Sequence, residues 1–251
     1  MKAEEEAAQG GPAAPPAPRA DWAYFVDLDG TLLDIAPSPD EVRLDAEVQT
    51  LLSELSAFAG GAVALISGRS IGDITALISE PCLPVAGQHG LERRDAAGRI
   101  TTHQVESNGL ALAASALERE VKQYSGLLLE QKGLSLALHY RAVPELAGHV
   151  HTVMRRLCAK LGPEYVLQEG KRVVELKPAG KDKGVAVQEF MQEPPFAGRT
   201  PVFLGDDATD EYAFAVVNEA EGISIKVGPG RTGARYRLND VREVHRWLDT
   251  R

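Results

Sequence analysis

Asp27 and Asp29 stand two residues apart at the end of the apolar run Tyr24-Phe25-Val26 and are followed by Gly30, Thr31 and Leu32. Side chains alternate along extended chain, so residues two apart project to one side and both carboxylates can reach one point. Such a pair repels itself unless a cation lies between. It suits two kinds of chemistry, holding a hard metal ion or attacking and exchanging protons at a reacting group. Read alone, Asp29-Gly30 is equally a tight turn at a strand end.

Three later stretches favour chemistry. The run Ala62-Val63-Ala64-Leu65-Ile66 ends in Ser67-Gly68-Arg69, a hydroxyl and a cation. Pro201-Val202-Phe203-Leu204 ends in Gly205-Asp206-Asp207-Ala208-Thr209-Asp210-Glu211, and Lys181-Asp182-Lys183-Gly184 opens a helical segment. Short apolar runs bounded by turn residues suit buried parallel strands, and ligands in open α/β sheets sit outside the strands' carboxyl ends. Brought to one crevice, Asp27, Asp29, Asp206, Asp207 and Asp210 form a cluster in which charges about 4 Å apart repel by roughly 4 kcal/mol at an effective dielectric near 20. The cluster demands a cation. Oxygen ligands without His or Cys select a hard ion, and Mg²⁺ fits best because it is held by one or two carboxylates plus water and phosphate. Ser67 and Lys183 can hold the remaining phosphoryl oxygens. Asp27 is then the candidate nucleophile and Asp29 the acid and base. The structural alternatives are a helix cap for Ser67 and a surface lysine for Lys183. A receiver module of the bacterial response type uses a similar acidic set, but without a large insertion or a late acidic motif.

The elements that must position these groups are legible in the hydrophobic period. Val48, Leu51, Leu52 and Leu55 recur at helical spacing, and a short helical stretch is expected around Ile71 to Ile78. Pro84-Val85-Ala86 leads to Gly87-Gln88-His89-Gly90, and Ile223 to Val227 forms a fourth apolar strand. From Leu91 to Lys177 the pattern changes to two helices among strands that alternate in polarity. The helical stripes are Leu110, Ala113, Leu117, Val121, Tyr124 and Leu146, Val150, Met154, Leu157, Leu161. Alternating strands belong to a sheet covered on one face. Leu134, Leu136, Leu138 and Tyr140 share one face, which leaves His139 and Arg141 on the other. Val174 and Leu176 likewise oppose Lys171, Val173, Glu175 and Lys177. The expected organisation is α/β, with a disordered tail at 1–20, a core of 21–90 and 178–251, and an inserted α+β domain at 91–177.

The chain has 251 residues, 44% hydrophobic and 25% charged, with a formal net charge of −9. That balance argues against nucleic acid or an anionic membrane as the main partner. No transmembrane or signal segment is expected, and Cys82 and Cys158 show no metal-ligand spacing. A cytoplasmic monomer acting on a small molecule is the expectation.

Asp27-Leu28-Asp29-Gly30-Thr31, Ser67-Gly68-Arg69, Lys183-Gly184 and Gly205-Asp206-Asp207-Ala208-Thr209-Asp210-Glu211 together resemble the four motifs of the haloacid dehalogenase superfamily of phosphotransferases. Within it, Gly87-Gln88-His89-Gly90-Leu91-Glu92, His139-Tyr140-Arg141, Gly170 through Pro178 and Phe203 through Val217 are similar to the trehalose-6-phosphate phosphatase family, over about residues 22 to 248. The resemblance implies a Rossmann-like core with a C2-type cap inserted after the third core strand. It implies Asp27 as nucleophile, Asp29 as acid and base, and Mg²⁺ on the Asp27 side chain, the Asp29 backbone carbonyl and Asp206, with Asp210 acting through a water. It also implies a sugar phosphate as substrate. Lys171 and Glu175 would read glucose hydroxyls, and Arg69, His89, Glu92, His139 and Arg141 complete the expected substrate-binding set. Alternatives are a sister phosphatase for another sugar phosphate, such as sucrose 6-phosphate, and a sensor that binds without turnover.

Overall fold

The apolar run before Asp27 is the strand β1 (Trp22–Val26), buried along its whole length. In the computed structural model, which describes residues 13–35, 46–78, 82–103 and 109–250, it is followed by α1 (Ala46–Phe58), β2 (Val63–Ile66), α2 (Ile71–Leu77), β3 (Val85–Gly87), β4 (Glu92–Arg94) and β5 (Ile100–Thr102). The next stretch contains α3 (Gly109–Gln123), β6 (Leu128–Gln131), β7 (Leu136–His139), α4 (Ala147–Leu161), β8 (Tyr165–Gly170) and β9 (Val173–Pro178). The chain then forms α5 (Lys183–Phe190), β10 (Thr200–Gly205), α6 (Glu211–Glu219), β11 (Ile223–Val227), β12 (Tyr236–Leu238) and α7 (Val241–Leu248). The loop expected around Pro37 and Pro39, and the first twelve residues of the tail, lie outside the described residues.

Eight strands form one sheet in the order β12-β11-β10-β1-β2-β3-β4-β5, parallel from β12 to β3. Val26 lies opposite Leu204 of β10 and Leu65 of β2, and Ile66 lies opposite Ala86 of β3. Parallel strands in this register end together, so the residues after β1, β2, β3 and β10 share one edge. Successive residues of β1 show that helices cover both faces. Tyr24 meets Trp247 of α7 at 6.4 Å between ring centroids, whereas Phe25 meets Phe190 of α5 at 6.0 Å and Phe196 at 5.4 Å. Because neighbouring side chains point to opposite faces, α7 and α5 must lie on opposite sides of the sheet. A sheet buried on both faces explains why its central strands read as unbroken apolar runs.

The second sheet, β6-β7-β9-β8, is antiparallel. Ala113 and Leu117 of α3 and Val150 and Met154 of α4 pack with Leu136, Leu138, Val174 and Leu176 in a separate core. Both helices therefore cover one face, as the alternation requires. The other face carries Ser135 and Glu175 toward the strand tips of the large sheet.

Two expectations need correction. The insertion was expected to begin at Leu91, but β4 and β5 pair antiparallel onto β3 and extend the large sheet, so the second sheet begins only after α3. Short alternating strands look the same on either sheet, and pairing decides which one they join. The tail was expected to be disordered through Ala20, yet residues 13–20 lie on the core. Arg237 N donates to Ala13 O at 3.1 Å, Trp247 Nε1 to Pro16 O at 2.9 Å, and the Tyr24 hydroxyl to Arg19 O at 2.7 Å. A segment poor in apolar side chains is held by its carbonyls, and composition does not display that.

Candidate active site

Lys183 occupies the first turn of α5, behind the N-cap Asp182, whose carboxylate accepts from Val185 N at 2.9 Å. A cation is disfavoured at that end of a helix dipole, and this one is only 3% exposed. Two carboxylates compensate for its position. Nζ donates to Asp27 Oδ1 at 2.7 Å and to Asp210 Oδ1 at 2.6 Å. Burial alone would lower the Lys183 pKa, but Asp210 and Asp27 outweigh it and raise the value, so the ammonium stays charged. For Asp27, burial is the leading influence and pushes the carboxyl well above its ordinary value. Lys183 opposes that, while Asp210 and Asp206 reinforce it.

Asp206 follows β10 and lies against Gly30. With φ at +88°, Gly30 adopts a left-handed conformation, and a Cβ there would overlap the Asp206 carboxylate. The Asp-Gly pair is thus more than a turn: its missing side chain makes room for the acidic neighbour. Oxygen atoms of Asp27, Asp206 and Asp210 lie within 4.8 Å of one another. Three converging carboxylates with no nitrogen or sulfur fit a hard divalent cation, so the donor set agrees with Mg²⁺. Asp207, although adjacent, caps the turn Ala208–Asp210 by accepting from Ala208 N at 2.6 Å. Its backbone N donates to Asp210 Oδ2 at 2.8 Å.

Asp29 is held differently. Arg69 Nε donates to its Oδ2 at 2.7 Å and Nη2 to its Oδ1 at 2.8 Å. Arg69, expected to bind substrate, is therefore the partner that orients Asp29. Ser67 is buried and accepts from Arg69 N at 3.2 Å, and the helix cap of α2 is Ser70. Lys181 pairs with Glu189, so of these two lysines it is Lys183 that reaches the acidic cluster.

The insertion closes over this edge. Lys171 Nζ donates to Asp206 Oδ2 at 2.8 Å, and Lys132 Nζ donates to Gly68 O at 3.1 Å. Burial would lower the Lys171 pKa, but Asp206 outweighs it. Glu175 is buried, with His89 Nε2 3.5 Å and Lys132 Nζ 3.6 Å from its Oε2 and the Ser135 hydroxyl donating to its Oε1. The two cap residues expected to read the sugar thus both face the core.

The remaining expected binders divide. His89 sits at the β3 tip against Glu175. Glu92 accepts from Ile71 N at 3.0 Å and from the Gln88 amide, so it anchors α2 and the β3 tip. His139 pairs with Glu130 across β6 and β7 at 2.9 Å. Arg141 is exposed in the turn that follows, with no ion pair to the acidic cluster among the described residues. A sequence motif brings such residues near the edge without deciding which neighbour each side chain meets. Three polar residues at this interface were not singled out beforehand: Gln88, Lys132 and Ser135. Alternation supplied a signal for Ser135, which shares its strand face with Ala137, the register partner of Glu175. Lys132 lies between β6 and β7, where the hydrophobic period carries no signal.

A family model for trehalose-phosphatase matches residues 25–242. The trehalose-6-phosphate phosphatase of Escherichia coli (strain K12) is 47% identical over 232 residues, spanning 92% of this chain and 86% of that relative. Among solved structures, the C-terminal domain of a Candida albicans trehalose-6-phosphate phosphatase matches with a TM-score of 0.80 over 94% of this chain and 97% of that one, at 22% identity. A haloacid dehalogenase-like hydrolase of B. subtilis matches with a TM-score of 0.66 over 91% and 99%, at 14% identity. At these identities the two structural matches show the fold, a Rossmann-like haloacid dehalogenase core with a cap.

Proposed function

The chain belongs to the trehalose-phosphatase family, and from this we propose that it hydrolyses trehalose 6-phosphate to trehalose and phosphate through a phosphoryl group carried on Asp27. The observation that carries the reading is the buried Lys183 ammonium between Asp27 and Asp210, with Asp206 alongside and the cap residues Lys171 and Glu175 overhead. The residues that would hold Mg²⁺ are Asp27, Asp206 and Asp210, joined by the Asp29 carbonyl on the family resemblance. Such an ion supplies charge neutralisation at the phosphoryl oxygens.

The chain's own groups account for the rest. The Asp27 carboxylate attacks phosphorus as the bond to the sugar oxygen breaks, and Asp29 delivers a proton to that leaving oxygen. Asp29 then takes a proton from water, which attacks phosphorus and breaks the bond to Asp27, restoring the carboxylate and releasing phosphate. Lys183 and the Ser67 hydroxyl hold phosphoryl oxygens and keep charge from building up. Arg69 occupies both Asp29 oxygens, so it must release at least one of them before Asp29 can exchange a proton with the leaving group or with water. Lys171 and Glu175 hold sugar hydroxyls, which positions the ester for attack.

The test is phosphate release across a panel of sugar phosphates, with and without Mg²⁺. Preferred turnover of trehalose 6-phosphate is expected. Preference for another ester, such as sucrose 6-phosphate, overturns the substrate, and tight binding without release makes the protein a sensor. The same reading takes the enzyme to be a cytoplasmic monomer. Its two cysteines are free thiols, and light scattering checks the mass. Among the described residues no helix is long and apolar enough to cross a membrane.

A further inference from the structure

His89 and its neighbour Gln88 are held in an unusual way. Both have positive φ, 56° and 46°, although neither is glycine, and both are buried. Backbone in that region is strained for residues other than glycine and persists where the surroundings enforce it, often at functional sites. Their side chains show what the conformation achieves. Gln88 donates its amide to Glu92, and its Oε1 lies 3.4 Å from the Ser135 hydroxyl oxygen. Ser135 in turn donates to Glu175 Oε1, and His89 Nε2 approaches Glu175 Oε2 at 3.5 Å. The second ring nitrogen of His89, Nδ1, is buried without a hydrogen-bond partner. On its other side the ring lies on Gly68, where an added Cβ would stand 2.8 Å from both Cε1 and Nε2. The His89 backbone also continues the link, with N donating to Ser67 O at 2.9 Å.

One imidazole therefore touches the loop that carries the phosphate-binding Ser67 and the cap carboxylate assigned to the sugar. We propose that His89 is a positioning residue. It fixes the Glu175 carboxylate through Nε2 and so couples the seating of the cap's sugar-reading face to the Ser67-Gly68 loop, with Gln88 and Ser135 as the second arm of the same latch. Burial lowers the His89 pKa and favours the neutral ring. A neutral imidazole with Nδ1 unpartnered carries its proton on Nε2, the nitrogen that faces Glu175. Glu175 also has Lys132 beside it, so its charge does not depend on a protonated His89.

This inference rests on the proposed trehalose 6-phosphate activity. Its test compares kcat/KM for trehalose 6-phosphate and for p-nitrophenyl phosphate, which offers no sugar to read. The proteins are the parent, His89→Gln, His89→Asn, Glu175→Ala and the double variant His89→Asn/Glu175→Ala. Gln carries its amide nitrogen near the position of Nε2, whereas Asn reaches only as far as Nδ1. For His89→Asn the ratio of the two kcat/KM values should fall at least about tenfold, the scale of one lost buried hydrogen bond. His89→Gln should recover most of that loss. The double variant should be no worse than Glu175→Ala alone, because two members of one contact do not lose it twice. Parallel losses on both substrates, multiplying losses in the double variant, or equal behaviour of Asn and Gln would each overturn the latch. Should His89→Asn not fold, Ser135→Ala removes the cap-side donor to the same carboxylate and must show the same substrate-selective, non-multiplying loss. A parent that leaves trehalose 6-phosphate untouched defeats the functional reading itself. A parent that turns it over while His89 and Glu175 act independently defeats only the latch.

Discussion

Asp27 and Asp29 are separated by one residue and sit in different electrostatic surroundings. Asp27 is buried against Lys183 and faces two further carboxylates, while Asp29 is at the margin of the crevice on Arg69. Replacing Asp27 with Asn should abolish turnover with the thermal midpoint retained, since an amide neither attacks phosphorus nor binds a cation well. Phosphate release near the parental rate would remove Asp27 as nucleophile. Asp29→Asn should slow the reaction by roughly 10²–10⁴-fold, as for a lost general acid and base, with substrate affinity kept. Complete recovery by added Mg²⁺ would reduce Asp29 to a metal ligand. Gly30→Ala combines backbone strain with overlap against Asp206. It should raise the Mg²⁺ concentration needed for half-maximal rate, and an unchanged titration curve would mean that Asp206 is not held in place by Gly30.

The cap strand β9 works through its polar face. Burial by itself would raise the Glu175 carboxyl, but His89, Lys132 and Ser135 outweigh it and hold the group well below its ordinary value of 4.5. A folded value below the unfolded one stabilises the fold above the unfolded pKa, and that contribution is lost progressively as the pH falls from there through the folded value. Urea midpoints of the parent and Glu175→Gln should therefore differ most near neutral pH and converge below about pH 4.5. A gap that widens on acidification would show that Glu175 is not held as an ionised group. Lys177, next on the same face, donates to Lys181 O at 2.8 Å and secures the return from the cap to the core.

Across the whole molecule, the cap and the N-terminal segment both lean on the core. Chelation by EDTA should stop phosphate release, and Mg²⁺ should restore it better than Ca²⁺. Calcium takes more, longer and looser oxygen contacts and holds a phosphate less well in line. Equal rates with either ion would argue against a displacement that depends on metal geometry. Deleting residues 1–18 removes the bonds from Arg237 to Ala13 and from Trp247 to Pro16. At about 0.5–1.5 kcal/mol each, the loss should lower the thermal midpoint by several degrees. A midpoint equal to the parent's would make the docked segment energetically idle.

Much of this was legible in the residue string. Parallel strands covered on both faces must be apolar throughout, so their ends appear as abrupt changes to Asp, Ser and Gly, and a parallel sheet sends those ends to one edge. Thus Asp27, Ser67 and Asp206 could be placed together from the strand ends, with Lys183 at the start of a helix, and the alternation in β7 and β9 separated Leu136, Leu138, Val174 and Leu176 from Glu175. What depended on tertiary structure was partner choice. Arg69 joins Asp29, Glu92 turns to the α2 N-terminus, β4 and β5 extend the large sheet, and Pro16 meets Trp247. Periodicity sets which face of its own element a side chain occupies. Only the packing of distant segments sets which charge or donor lies opposite, because hydrogen bonds and ion pairs act over a few ångströms between residues far apart along the chain.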